Sequence, residues 1–263
     1  MRKLAFIAAF LLTGCATFEK PNDQAIRDLA PNGKLRAAIN LGNPVLASRG
    51  SDGQPQGVSV DLARELGSRL GVPVELVPFD AAGKVVDAGL SNVWDIAFVA
   101  IDPKRSEDIS QSPPYVVIEG AYLVRNNSPI LGNAEVDRKG HRIVVGRGSA
   151  YDLFLSREIK NAELVRIQGS QFVVDYFLSN NIDVAAGVKQ QLEMDAKRVS
   201  GVRLLPGRFM VINQAMASQR GKPAGAQYVR AFIEDMKASG FVAKALERHK
   251  IQGATVAPAG DVK

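Results

Sequence analysis

Apolar positions recur along this chain in blocks whose spacing switches between helical and extended periods. Val58, Leu62, Leu66 and Leu70 fall at i, i+4, i+8 and i+12, one face of a helix. Gly71 supplies its stop, Pro73 prevents continuation, and Val74-Glu75-Leu76-Val77 reads as the following strand. Ahead of that helix, "GKLRAAINLG" predicts a short strand from near Leu35 to Gly42. Residues 81 to 92 read as helical, and "DIAFVAI" is a near-continuous apolar run of the kind buried in parallel sheets. The alternation is the α/β signature. It then restarts. "HRIVVGRGSAYDLFLSREI" reads as a strand, a glycine turn and a helix, "AELVRI" as a strand, "SQFVVDYFLSN" as a helix and "IDVAAGV" as a strand. "VRLLPGRFMVINQAMAS" returns as extended chain, and the last periodic stretch predicts two helices broken at Gly240.

A length of 263 residues allows two such units, and 46% apolar with 23% charged residues describes an ordinary globular protein. The formal charge of +6 falls to +4 without Arg2 and Lys3, 31 basic against 27 acidic residues. That is too mild for a nucleic-acid partner, and no basic run is interleaved with aromatics. Arg2 and Lys3 head a nine-residue apolar stretch, Leu4 to Leu12, far shorter than the roughly 20 residues that span a bilayer. It has the length of a secretory h-region. The following Leu12-Thr13-Gly14-Cys15 resembles the bacterial lipobox, which implies export and lipidation at Cys15; a plain signal peptide with an incidental cysteine is the alternative. Cys15 is the sole cysteine, so no internal disulfide forms. The polar stretch after it reads as a tether.

Two places carry candidate chemistry. In "WDIAFVAIDPKRSEDIS" the apolar run stops at Asp102-Pro103 and Arg105 follows. On the residues alone, Arg105 is either a solvated partner of Glu107 or Asp108, or a ligand-gripping fork able to make two parallel hydrogen bonds to a carboxylate. "IVVGRGSAYDLF" is a strand, a glycine turn and a helix with Ser149 as N-cap, either a plain turn or an anion site built from backbone N–H groups and the helix dipole. It is neither G-x-G-x-x-G nor a P-loop. His141, His249 and Ser149 assemble no triad, and no cluster suggests a metal. No catalytic residue, cofactor or metal is expected. Trp94 reads as packing.

In order along the chain, Gly57-Val58-Ser59-Val60-Asp61-Leu62-Ala63, Leu70-Gly71-Val72, Trp94-Asp95-Ile96-Ala97, Pro103-Lys104-Arg105, Ser112-Pro113-Pro114-Tyr115, Gly146-Arg147-Gly148-Ser149 and Ile182-Asp183-Val184 resemble the landmarks of the family 3 bacterial solute-binding proteins. These are the periplasmic receptors of amino-acid-type ABC importers, and the likeness runs from about Gly33 to about Lys250. It implies a two-lobed type 2 periplasmic-binding-protein fold, each lobe a mostly parallel sheet flanked by helices, joined by two crossover strands near Tyr122 to Arg125 and Asn213 to Ser218. The implied layout is a signal peptide at 1–14, a tether at 15–33, lobe 1 at 34–122 and 215–252, lobe 2 at 123–214 and a polar tail at 253–263. Ligands would sit between the lobes. Arg105 would grip a carboxylate from the first turn of a helix with Asp102 as N-cap and Pro103 at N1.

Three departures bear on the ligand. Where members that bind α-amino acids carry an aspartate for the ammonium, this chain has Val188. The aromatic platform is replaced by Asn43-Pro44-Val45-Leu46, and the hydroxyl side chains before the arginine by Val99, Ala100 and Ile101. A buried unpaired cation is costly, so the reading is a small anionic solute without an α-ammonium. The alternative is an amino acid whose ammonium meets Glu119, Asp102 or backbone carbonyls. The expected ligand contacts are Arg105, Gly148, Ser149, Asn40, Asn43, Asp102 and Lys189. The expected partners are an ABC permease and, through Cys15, the membrane of the periplasm, with no nucleic acid and a monomeric chain. An enzyme on the same fold, similar to cyclohexadienyl dehydratases, is the other class, with Glu119 as the one candidate carboxylate.

Overall fold

The computed structural model describes residues 20–260, so Cys15 and the segment 1–14 lie outside the described residues. Asn22 caps a short helix, α1 (Asp23–Leu29), its Oδ1 accepting from the Ala25 N–H at 2.8 Å. β1 (Leu35–Asn40) follows, then a small hairpin of β2 (Ser48–Arg49) and β3 (Pro55–Gln56). Helix α2 (Val58–Leu70) carries the periodic apolar face and ends at Gly71 in the left-handed conformation, φ 70°. β4 (Val74–Phe79), α3 (Ala82–Gly89) and β5 (Ile96–Ala100) complete the first alternation. A single 3₁₀ turn, Arg105–Glu107, leads into the long strand β6 (Ile109–Arg125).

The second alternation is β7 (Arg142–Gly146), α4 (Ala150–Glu158), β8 (Glu163–Ile167), α5 (Val173–Ser179), β9 (Val184–Val188) and α6 (Lys189–Arg198). β10 (Val202–Leu204) and β11 (Met210–Gln219) then return the chain to the first half. The chain ends in α7 (Pro223–Ala238), α8 (Phe241–Arg248) and β12 (Thr255–Val256).

One ten-stranded sheet runs through both halves in the order β4-β1-β5-β11-β6-β9-β7-β8, with β10 and β12 also on β6. Its two ends are parallel, β4-β1-β5 and β9-β7-β8. Its middle is antiparallel, because β11 lies between β5 and β6 and β6 pairs β9. The expected crossovers are parts of β6 and β11, which run side by side from Gly120↔Met210 to Ile109↔Gln219.

Period-two alternation assigns the core residues to faces. In β1, Ala37 and Ile39 join Leu62, Leu66 and Phe232 on one side, while Ala38 joins Val85, Trp94 and Ala97 on the other. In β7, Ile143 and Val145 pack with Tyr151 and Leu155, and Val144 packs with Phe177 and Leu192.

Three expectations need correction. The stretch read as tether, 15–33, contains α1, whose Ala25 and Leu29 are buried against the α7 side of the core. The polar tail at 253–263 contains β12, paired to Val116 and Val117, with Ala257 buried. The helix expected after Asp102 is only a 3₁₀ turn, with Lys104 and not Asp102 at its N-cap; Asp102 Oδ1 accepts from the Lys104 N–H at 3.0 Å just ahead of it. β6 itself continues through Pro113 and Pro114. Proline has no N–H to donate, and Pro114 pairs Ala215 where the register shifts, so no regular ladder bond is forfeited.

Candidate functional site

Strand ends from both halves meet around a cavity of about 30 Å³. β1 delivers Asn40, the loop after it Asn43, and the chain beyond β5 delivers Arg105. From the other half come Ser149 at the head of α4, Ser170, and Val188 at the end of β9; β11 adds Gln214. This volume admits about two water molecules. A larger guest enters only when the halves part.

Arg105 is 2% exposed. Its Nη1 donates to the Ala100 carbonyl at 2.9 Å and its Nη2 to the Gly148 carbonyl at 2.8 Å, so one guanidinium ties the end of β5 to the glycine turn of the other half. Burial pushes its pKa down to about 10, opposed by the Asp102 carboxylate, and it stays a cation at neutral pH. Two hydrogen bonds use two of the five donors of the fork. Among the described residues lining the cavity, Arg105 carries the only formal charge.

The Ser149 hydroxyl accepts from the Asp152 N–H at 3.0 Å, the N-cap the sequence predicts. The expected anion site at this helix tip is corrected by Asp152. Its Oδ2 accepts from the Gly148 N–H at 2.8 Å, and its Oδ1 from Arg166 Nε at 2.9 Å. The chain's own carboxylate thus answers the tip. What this segment lends the cavity is Ser149, Ala150 and the Tyr151 phenol, whose pKa burial raises.

Asn40 Oδ1 accepts from the Gly42 N–H at 3.0 Å, shaping the loop that follows β1. Asn43 is 8% exposed and its Oδ1 has no hydrogen-bond partner. Val45 and Leu46, which replace an aromatic platform, turn into the core instead of facing the cavity. Asp102 is not a cavity residue. It is buried, and its Oδ2 pairs with Arg157 Nη2 of α4 at 2.9 Å, a second bond between the halves. Lys189 is corrected likewise: its Nζ lies 3.1 Å from Glu119 Oε2, and Arg208 Nη1 lies 2.6 Å from Glu119 Oε1. Hydrogen bonds from Arg208 and then Lys189 hold the Glu119 carboxyl below its ordinary range. Bound by two cations and away from the cavity lining, Glu119 is poorly suited to act as a base there. Gln214, Tyr151 and Ser170 escaped the sequence reading. Gln214 alone left a signal, a polar residue amid the apolar run of β11. Among the described residues no group of histidine, cysteine and carboxylates could hold a metal, and no helix is long and apolar enough to cross a membrane.

The backbones of the halves come close at two glycines. A Cβ on Gly148, whose φ is +70°, would stand 2.8 Å from the Gly83 Cα, nearer than real contacts allow. Gly148→Ala is therefore expected to part the halves. Small-angle scattering should show a larger radius of gyration than wild type, and an unchanged profile would refute the contact in solution.

A match to the bacterial extracellular solute-binding proteins, family 3, covers residues 35–251. Among curated relatives, the L-cystine-binding protein TcyJ of Escherichia coli strain K12 is 22% identical over 163 residues, 61% of this chain and 61% of its own length. Among solved structures, the solute receptor for L-cysteine of Neisseria gonorrhoeae has a TM-score of 0.76 at 22% identity, covering 88% of this chain and 94% of that one. The ancestral amino acid-binding protein AncCDT-1, a precursor of cyclohexadienyl dehydratase, has a TM-score of 0.72 at 21% identity, covering 85% and 98%. At such identities the structures establish the shared fold, two α/β lobes of the type 2 periplasmic-binding kind. With the family match spanning both alternations and the site between them, the chain belongs to the bacterial extracellular solute-binding proteins, family 3.

Proposed function

We propose that this protein is the solute-binding receptor of an ABC importer and captures a small carboxylate-bearing solute lacking an α-ammonium. The observation that carries this reading is the charge content of the cavity: one buried guanidinium, no carboxylate, and Val188 beside Ile212 and neutral polar groups. A carboxylate there gains a fork of donors away from water. An ammonium would find only neutral acceptors such as Asn43 Oδ1 and would be left without a counter-charge. In this reading lobe 1 is 34–122 with 215–252 and lobe 2 is 123–214. They open to admit the solute and close on it through Arg105–Gly148 and Asp102–Arg157, with no covalent step. Cys15 carries the lipid anchor that holds the receptor at the periplasmic membrane surface, where it meets its permease.

A thermal-shift series tests the ligand class. Pentanoate and 2-hydroxypentanoate are compared with norvaline, which shares their carbon skeleton and adds the ammonium. At about 100 times its Kd a ligand stabilises the folded state by about 2.7 kcal/mol, which raises Tm by about 5 °C or more in a chain of this size. The two acids should shift Tm and norvaline should not. Stabilisation by norvaline alone would overturn the reading.

A further inference from the structure

Arg105 borders a second, larger cavity. On its outer side lies a space of about 380 Å³, also formed by both halves, with Lys84, Lys104 and Arg147 around it and Asp87 and Asp108 on the same wall. Lys84 is already engaged by Asp80 at 2.8 Å. Lys104 and Arg147 are exposed, one from each half, and no hydrogen bond or ion pair from the described residues engages either head group. Arg105 lines both spaces, and the partition there includes its guanidinium, its bond to the Gly148 carbonyl and the backbone approach of Gly83 to Gly148. Both contacts cross between the halves, so parting them removes the partition and joins the two spaces along Arg105.

We infer that the solute carries two anionic groups, one held by Arg105 and the second reaching the outer cavity between Lys104 and Arg147. This rests on the anionic-solute reading above and extends it from a monoacid to a linear diacid. The inner cavity is too small for a solute's whole body, and the outer one offers both room and positive charge. Four cations line the outer space beside two carboxylates; Lys84 is answered by Asp80 and Arg105 by the first anionic group, which leaves Lys104 and Arg147 for the second. The two cations that none of the described residues engages stand on opposite lobes, so a second anionic group between them also draws the lobes together. Selectivity for the diacid therefore resides at the rim, while Arg105 is common to both acids.

Calorimetric titration of the full chain with glutarate and with pentanoate, equal in carbon number, tests this. Glutarate should bind about tenfold more tightly at low salt, since each exposed charge contact contributes up to about 1 kcal/mol, and added salt should shrink the ratio. Lys104→Gln and Arg147→Gln, both at exposed positions, should each cut the glutarate advantage roughly three- to fivefold and leave pentanoate affinity unchanged. Equal affinities in the wild type, or an advantage that survives in the double variant, would overturn the second anionic group while leaving the monoacid reading intact. Binding of norvaline with neither acid bound would overturn both.

Discussion

Replacing Arg105 with alanine is expected to abolish usable solute binding while leaving the protein folded. Removing one member of a buried, hydrogen-bonded charge pair costs about 2 to 5 kcal/mol of binding, a loss of about 30-fold to several thousand-fold in Kd. The size of the effect follows from the cavity: among the described residues no other charged group lines it to take over the carboxylate. The cost to the fold is smaller. Ala100 keeps a donor, because Gln111 Nε2 also reaches its carbonyl at 3.0 Å. Only the Gly148 carbonyl loses its partner, at about 1 to 3 kcal/mol. Arg105→Lys retains the charge without the fork and should fall between the two. Titration with the acid that gives the largest thermal shift measures all three. An alanine variant within threefold of wild type would remove Arg105 from the site.

The largest loss of stability is expected at Trp94. Its side chain is fully buried between β1, α3 and β5, and its Nε1 donates to the Val85 carbonyl at 2.7 Å. The end of α3 is fitted to the ring so closely that a Cβ on Gly89 would stand 2.6 Å from its Cζ2. Trp94→Ala leaves a cavity that these elements cannot collapse to fill, at about 3 to 5 kcal/mol, and loses the indole's bond to the Val85 carbonyl besides. Against a typical total of about 5 to 15 kcal/mol this is a severe loss, worth a fall in Tm of about 10 °C. Circular dichroism is the measurement to use, because Trp94 is the only tryptophan and the variant has no indole fluorescence. Trp94→Phe should recover most of the loss. A Tm within about 2 °C of wild type for the alanine variant would show that the site repacks.

Both results turn on how local a feature is. Helix α2 was legible because its apolar period and its glycine stop lie within a few turns of chain. Helix α6 was not: it buries Leu192 but leaves Met194 half exposed, so no apolar stripe announces it. β6 escaped for another reason. Its burial comes from β11, β9 and β12, all distant in sequence. In the site, Arg105 was legible only through the likeness of its surroundings to a family, and its bond to Gly148 joins residues that no spacing relates. Lys189 was misread because adjacency to Val188 says nothing about direction. The chain turns into α6 there, and the ammonium finds Glu119. Asp102 was expected as a cap and is instead the partner of Arg157, which no spacing could show because the second half supplies that arginine.

The middle of the sheet carries a consequence for biogenesis. β5 finds its outer neighbour only in β11, so Ala100 must wait for Gln214 to emerge. During that wait the edge of β5 and the face later covered by α7 stand unshielded, the condition under which chains associate wrongly. The stretch that emerges meanwhile, β7 to α6, pairs within itself and can organise first. Maturation is then out of order along the chain, the inserted piece consolidating before the piece that began it.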